Sequence, residues 1–315
     1  MTRATECQPI AANNSSKPLF SILIPSWNNL PYLKLCIKSI REHSAFPHQI
    51  IVHVNESTDG TLEWVRAQGL DYTYSKKNIG VCLAMNMMRT KVKADYILYL
   101  NDDMYLLPGW DKVMYDEVKR IDTKFFYLSG SVIQPHAHPG GCTGWQGDYG
   151  DSPGNFREDE LLKEFRKYPS HDWKGATRPP ALVHRDIWDL VGGYSIELTP
   201  GMGSDPDFTA KLLFVGVRYF KGLSNCRAYH FESKTTAVVR KNKYVPQFLF
   251  KWGILNSTMR RHITFLATPW DNEEDMAKHR RELTKGRWRA RIKAILYALK
   301  GTYGALHSLD DGIEV

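Results

Sequence analysis

The chain has 315 residues, 43% of them hydrophobic and 24% charged, which excludes a disordered or collagen-like polymer. That length suits one large domain or two modest ones, with enough chain to bury a core. The formal charge is +8, from 42 Lys and Arg against 34 Asp and Glu.

The charge is local. Between Lys278 and Lys300 lie nine bases and one acid, Glu282, and the rest of the chain is neutral. The basic balance is therefore no argument for a nucleic-acid-binding core, and no nucleic-acid partner is expected. Five cysteines, Cys7, Cys36, Cys82, Cys142 and Cys226, are widely spaced and form no CxxC pair. They read as reduced thiols of a cytosolic protein. No apolar signal-peptide core opens the chain, and no uncharged apolar run reaches the roughly 18 residues of a membrane span.

Residues 1–16 are polar and aperiodic and read as a flexible tail. Leu19 to Pro25 reads as a buried strand ended by Pro25. From Pro31 to His43, Leu33, Cys36, Ile37 and Ile40 fall at helical spacing. Gln49 to Val54 is a second strand, and a turn at Asn55 to Gly60 leads into a helix over Thr61 to Gln68. Tyr72 to Tyr74 is a third strand and Val81 to Arg89 a helix. Tyr96 to Leu100 is a fourth strand, ending at Asn101-Asp102-Asp103. This alternation predicts an α/β fold with a mostly parallel central sheet flanked by helices. Residues 134–180 are rich in Gly, Pro, His and Trp, with a helical patch near Glu158 to Tyr168. So long a loop is usually functional or mobile. Ala181 to Val183 and Val217 to Phe220 read as strands, Phe208 to Val215 as a helix, and the chain beyond about residue 241 as mainly helical.

Ligands of open α/β sheets sit beyond the carboxyl ends of the strands. The adjacent carboxylates Asp102 and Asp103 stand at such an end. They repel one another unless a cation offsets them, and hard oxygen ligands suit Mg²⁺ or Mn²⁺. Taken alone, the pair reads equally as a surface turn or cap.

The pair is accompanied by further motifs. Ser21-Ile22-Leu23-Ile24-Pro25-Ser26-Trp27-Asn28, Asn55-Glu56-Ser57-Thr58-Asp59-Gly60-Thr61, Lys77-Asn78-Ile79-Gly80, Ala84-Met85-Asn86 and Leu100-Asn101-Asp102-Asp103 occur in that order. Gly192-Gly193-Tyr194, Ser204-Asp205-Pro206-Asp207-Phe208 and Tyr229-His230 follow. From about Pro18 to Thr236 the chain resembles the family 2 glycosyltransferases, inverting enzymes of the GT-A fold. The resemblance implies that Pro25 and Trp27 lie against a nucleotide and that Asn55 sits where the base is read. It places Asn28, Asn78 and Gly80 around the same cleft. Asp102 would face the ribose or the metal shell. Asp103 would ligate the cation, Mn²⁺ or Mg²⁺, with His230 as a further ligand or diphosphate contact. Asp205 would be the general base, with Asp207 ranked below it. Without the resemblance Asp205 reads as the N-cap of the helix that follows. Two positions depart from the family pattern: Asn55 replaces the usual Asp, and Ser204 precedes Asp205 where Glu is frequent.

The implied activity is metal-dependent transfer of a sugar from a UDP-, GDP- or dTDP-sugar to a hydroxyl of a glycan or lipid-linked acceptor. The setting would be cell-surface polysaccharide or lipopolysaccharide synthesis. A nucleotidyltransferase would want a Gly-rich phosphate loop after the first strand, where Pro25-Ser26-Trp27-Asn28 stands instead. A non-catalytic nucleotide-sugar-binding protein is disfavoured by the joint presence of Asp103, Asp205 and His230. His136 and His138 lack partner spacing and read as loop residues that touch the acceptor or order on donor binding. Trp145 and Trp173 suit either sugar stacking or core packing.

The expected division is a tail at 1–16, a GT-A catalytic domain at 17–240 and a helical extension at 241–315. In that extension Trp288, Ile292, Ile295, Leu296 and Leu299 form one apolar stripe flanked by Arg287, Arg289, Arg291 and Lys293. A helix from Lys285 to Lys300 would be about 24 Å long, too short to span a bilayer. It suits an anionic membrane surface, or a helix docked on the catalytic domain. The expected location is cytoplasmic, peripheral on the inner face of the cell membrane if the helix binds lipid.

Overall fold

A computed structural model describes residues 17–136, 143–232 and 243–301. The tail at 1–16 and the residues His138, Cys7 and Cys142 lie outside the described residues.

The first half alternates as expected: β1 (Phe20–Trp27), α1 (Leu30–His43), β2 (Gln49–Asn55), α2 (Thr61–Ala67), β3 (Asp71–Ser75), α3 (Gly80–Arg89) and β4 (Tyr96–Tyr99). The strands β3, β2, β1 and β4 are neighbours and run parallel. β2 and β3 lie to one side of β1 and β4 to the other, so the topology switches direction between β1 and β4. Crevices form at the carboxyl ends of such a switch.

β1 shows why both faces are covered. Alternate side chains point to opposite faces of a strand. Phe20, Ile22 and Ile24 pack with Leu33, Ile37 and Ile40 of α1. Leu23 packs with Cys82, Met85 and Met88 of α3. The strand continues two residues past the expected stop at Pro25. β4 leaves β1 after Leu23, so from there β1 has β2 as its neighbour on one side. A proline, which has no N–H to give, fits that newly exposed edge.

The second half extends the sheet with mixed strands. β5 (Met104–Leu106), α4 (Trp110–Arg120) and β6 (Phe126–Gln134) have no counterpart in the sequence reading. β6 is buried throughout, yet Ser129, Gly130 and Ser131 interrupt its apolar run. The remaining elements of this half are β7 (Gly144–Gln146), α5 (Glu158–Glu164), β8 (Trp173–Lys174), β9 (Ala181–His184), α6 (Arg185–Val191), α7 (Ser204–Phe214) and β10 (Tyr219–His230). β9 is antiparallel to both β4 and β6, and β5 is antiparallel to β10. β10 runs far beyond the short strand expected at Val217 to Phe220, with a register shift between Leu223 and Arg227. Trp173 is fully buried and donates its indole N–H to Ser131 at 3.1 Å. A Cβ on Gly222 would come within 1.8 Å of its ring. Trp173 is therefore a core residue. Trp145 lies under the Arg227 guanidinium, 5.0 Å from its ring centre.

Three helices follow: α8 (Tyr244–Trp252), α9 (Asn256–His262) and α10 (Met276–Leu299). α8 docks on α7 through Asp207, which is 1% exposed. Lys251 Nζ lies 3.0 Å from Asp207 Oδ1, Trp252 donates its indole N–H at 2.7 Å, and Ser195 donates at 2.5 Å. α10 begins nine residues before the expected Lys285 and is about 36 Å long at about 1.5 Å per residue. It packs inward through Gly286 and Ala290, and a Cβ on Gly286 would meet Thr258 of α9 at 2.4 Å. Its outward face carries Trp288, Ile292, Ile295, Leu296 and Leu299, all at least half exposed. No helix among the described residues is long and apolar enough to cross a membrane.

Removing one partner of a buried ion pair strands the other charge. Asp207→Ala should therefore cost about 3 kcal/mol of unfolding free energy, measured by urea denaturation. A loss below about 1 kcal/mol would show that α8 docks without this pair.

Candidate active site

The carboxyl ends of β1 and β2 meet at Trp27 and Asn55, which are register partners. The loops beyond them are shaped by their own polar side chains. Asn28 and Glu56 both adopt positive φ, +47° and +54°. Asn28 Oδ1 accepts from the Thr58 N–H at 2.8 Å, and the Trp27 indole donates to Glu56 at 2.9 Å. Asp59 accepts from the Leu30 N–H at 2.8 Å and from the Thr61 N–H at 3.1 Å, serving the first turns of α1 and α2. Burial would raise its pKa, but these hydrogen bonds outweigh that and lower it.

Asn55 is buried, and its Oδ1 accepts from the Ile79 N–H at 2.9 Å. Asn78 Oδ1 accepts from the Gly80 N–H at 2.8 Å. Gly80 has φ +73°, and a Cβ there would sit 2.7 Å from Pro200 Cα. The start of α3 thus lies directly against the segment that leads to Asp205. Pro25, Trp27, Asn28, Asn55, Asn78 and Gly80 share one rim, and the hydrogen bonds of the last three fold that rim.

Asp102 and Asp103 follow β4. Burial first, and the Asp103 charge second, raise the Asp102 carboxyl to about 7, while Ser26 and Asn29 beside it draw it part of the way back. The β5–β10 pairing sets His230 opposite Met104. That places His230 Nε2 3.4 Å from Asp103 Oδ2. Burial alone would lower the His230 pKa, but the Asp103 carboxylate overrides it and raises it. Among the described residues no cluster of three or more His, Cys, Asp or Glu side chains could hold a metal by itself.

Asp205 lies in the first turn of α7. Tyr194 donates its hydroxyl to Asp205 Oδ1 at 3.2 Å. The Tyr194 ring is held flat on Phe208, with centroids 4.8 Å apart and planes 2° apart. Burial raises the Asp205 carboxyl to about 6, against the pull of Tyr194 and the charge of Arg178. A cleft of about 490 Å³ joins the two centres: Asp205, His230, Glu232, Arg178 and Arg260 all line it.

Residues 21–140 match the family model for glycosyl transferase family 2. That segment is a family 2 glycosyltransferase domain. The chain is accordingly a transferase. An uncharacterized protein of Mycobacterium tuberculosis, MT1568, is 22% identical over 284 residues, covering 84% of this chain and 85% of that protein. A putative teichuronic acid biosynthesis glycosyltransferase of Bacillus subtilis, TuaG, is 28% identical over 93 residues, covering 28% of this chain and 36% of TuaG. The crystal structure of S. aureus TarS 1-349 superposes with a TM-score of 0.54 at 14% identity, covering 84% of this chain and 69% of that one. TarS 1-349 in complex with UDP-GlcNAc gives the same TM-score at 13% identity, with coverages of 85% and 71%. At these identities the two structures establish the shared GT-A fold.

The transferase geometry separates the two acids of α7. Asp205 opens on the cleft, whereas Asp207 is consumed by Lys251, Trp252 and Ser195. The N-cap position itself falls to Gly203, and α7 starts at Ser204, four residues before the expected Phe208. His136 is exposed and contacts Glu232 at 2.7 Å. Arg178 and Arg260 were not legible in the sequence. Arg178 stands in a loop without periodicity, and Arg260 lies in the helical region beyond the family motifs.

A carboxyl held near 6 rather than near 3.8 costs stability when it ionises. The native state favours the proton, so stability is lost as pH rises through about 6. Asp205→Asn removes that cost. Its melting temperature should exceed the wild type's at pH 8, and the gap should close as pH falls towards 4. A variant melting below wild type at pH 8 would contradict the burial of this carboxylate.

Proposed function

We propose that the enzyme transfers a sugar from a nucleotide-diphosphate donor to an acceptor hydroxyl with inversion, using Asp205 as general base. The observation that carries this reading is the single cleft lined by both Asp205 and His230. Asp205 Oδ would take the proton of the acceptor hydroxyl as that oxygen bonds to the anomeric carbon. The bond from the anomeric carbon to the diphosphate oxygen breaks on the opposite side, so one carboxylate suffices for inversion. A base with a pKa near 6 is largely ionised at neutral pH while remaining basic enough to accept a proton.

Asp103 and His230 fit a divalent cation, since Mg²⁺ and Mn²⁺ bind through few protein groups and keep water or phosphate oxygens as their other ligands. Bound there, Mn²⁺ or Mg²⁺ supplies charge neutralisation for the leaving diphosphate. Asp102, with its raised pKa, can donate or accept towards a ribose hydroxyl. Trp27, Pro25 and Asn55 form the rim on which the nucleoside would rest, with Asn28, Asn78 and Gly80 holding the loops. A uridine donor is the first to test, because TarS has been solved with UDP-GlcNAc and with UDP. TuaG's name supports a cell-wall polymer as acceptor.

The division into a catalytic domain at 17–240 and an extension at 241–315 is part of this reading. The extension's α10 would lie on an anionic membrane, on the inner face of the cell membrane. Its small residues face the protein, and its apolar stripe faces outward between Arg287, Arg289 and Arg291. Arg291 sits over the Trp288 ring at 5.0 Å, an arrangement suited to a lipid headgroup boundary.

A base variant, a pH profile and a vesicle-binding assay test the reading. Asp205→Asn should lower kcat by about a hundredfold or more while UDP, GDP or dTDP in Mn²⁺ still raises the melting temperature. Wild-type kcat/KM should rise with pH through about 6, because the base must be ionised. Normal transfer by the variant would remove Asp205 from the mechanism. For the membrane, replacing both Ile295 and Leu299 by Asp should weaken binding to phosphatidylglycerol-containing vesicles about tenfold or more. Unchanged sedimentation with vesicles would exclude α10 as the contact.

A further inference from the structure

Two motifs of the sequence, Ala84-Met85-Asn86 and Gly192-Gly193-Tyr194, lie outside the lining of the cleft. They meet one another in the fold. The Asn86 side chain, on α3, accepts from the Tyr194 N–H through Oδ1 at 2.9 Å and donates through Nδ2 to the Tyr194 carbonyl at 2.8 Å. One amide thus satisfies both backbone groups of a residue 108 positions away. A backbone N–H can only donate and a carbonyl can only accept, so the amide has a single orientation. Gly193 makes room for it: its φ is +64°, and a Cβ there would stand 2.3 Å from Asn86 Oδ1. The Tyr194 ring is gripped as well. Phe208 lies flat against it, and Trp188 stands 5.5 Å away with its plane tilted by 49°.

All of these contacts fix one atom, the Tyr194 hydroxyl, which donates to Asp205 Oδ1 at 3.2 Å. Among the described residues it is the one side-chain donor to this carboxylate. Burial, the neighbouring Tyr127 and the Asp205 charge hold the Tyr194 phenol well above its ordinary 10. It therefore keeps its proton and acts on the carboxylate only as a donor. Burial and the Asp205 charge also raise Tyr99 and Tyr127, so the phenols around the carboxylate stay neutral. A carboxylate with one oxygen bound by a rigid donor presents the other in a fixed direction. We infer that Tyr194, aimed by Asn86, is the positioning residue of Asp205: it binds Oδ1 and leaves Oδ2 to take the proton of the acceptor hydroxyl. This rests on Asp205 being the base. It gives both motifs a part in the reaction although neither lines the cleft.

Melting temperature against pH, in pairs of full chains that differ only at Asp205, reads this carboxyl without any turnover. Between the wild type and Asp205→Asn, the gap should grow with pH and level off at about 6, where the native carboxyl is ionised. The Tyr194 hydrogen bond draws the carboxyl down, so its removal leaves the carboxyl higher. In Tyr194→Phe, which keeps the ring, the gap should level off about one pH unit later. Asn86→Ala should shift it in the same direction by less. The acid limb of kcat/KM for UDP-GlcNAc should move with it in each variant, with UDP affinity unchanged. Thr209→Val removes a hydrogen bond of 3.0 Å to the Asp205 backbone carbonyl and leaves the carboxylate alone. It should lower the melting temperature and move neither pH value. No shift in Tyr194→Phe, or an equal shift in Thr209→Val, would overturn the inference. So would a shifted melting profile with an unshifted acid limb. If Tyr194→Phe does not fold, Asn86→Ala set against Thr209→Val decides in the same way. Normal transfer by Asp205→Asn would instead defeat the base reading, and the melting profiles would still show whether Tyr194 governs this carboxylate.

Discussion

A carboxylate removed from water must find a positive or hydrogen-bonding partner, or it takes up a proton. Three carboxylates around this cleft meet that constraint in three ways. Asp207 is given a lysine, an indole and a hydroxyl, and in return holds α8 to α7. Asp103 faces His230, whose pKa it raises. Asp205 is served by the Tyr194 hydroxyl and by the charge of Arg178, and its pKa stays near 6. Of the two acids on α7, the less compensated is the one that opens on the cleft. Two residues along a helix turn the side chain by about 200°, so adjacent acids on α7 face opposite tasks. One secures the architecture, and the other keeps the raised pKa on which its proposed role as base depends.

The same logic explains why so much of the rim beyond β1 and β2 was legible. The polar residues of the family motifs spend much of their hydrogen-bonding capacity on backbone. Asn28 holds Thr58, Asp59 holds Leu30 and Thr61, Asn55 holds Ile79, and Asn78 holds Gly80. Short side chains that bond to nearby backbone, and a glycine where another chain passes at contact distance, are local requirements. A local requirement leaves a local motif. The alternating first half of the sheet is legible for a similar reason, since each strand and helix carries its own period.

What was not legible depends on tertiary placement. β6 is buried along its whole length, but Ser129, Gly130 and Ser131 break its apolar run, and Ser131 is there to accept the Trp173 indole N–H. Trp173 reads equally as a sugar platform until Gly222 is found against its ring. The length of β10 depends on β5 and β6 arriving beside it, and with it comes the distance from His230 to Asp103. Neither residue announces the other in the sequence. Arg178 and Arg260 acquire meaning only when a loop and a distant helix meet at one wall.

That meeting recasts the positive charge of the chain. The excess on α10 stands outside the cleft, on a helix whose small-residue face is turned inward and whose apolar stripe is turned outward. Such a helix gains from an anionic interface on both counts, by apolar burial and by charge. α9 lies between α10 and the cleft, packed on α10 at Thr258 and reaching the cleft at Arg260. A displacement of α10 on binding a surface would act on α9 through a contact with no spare volume, because Gly286 leaves no room for even a Cβ. Packed contacts of that kind transmit movement rather than absorb it. α10, α9 and the cleft wall at Arg260 are thus packed in one continuous series.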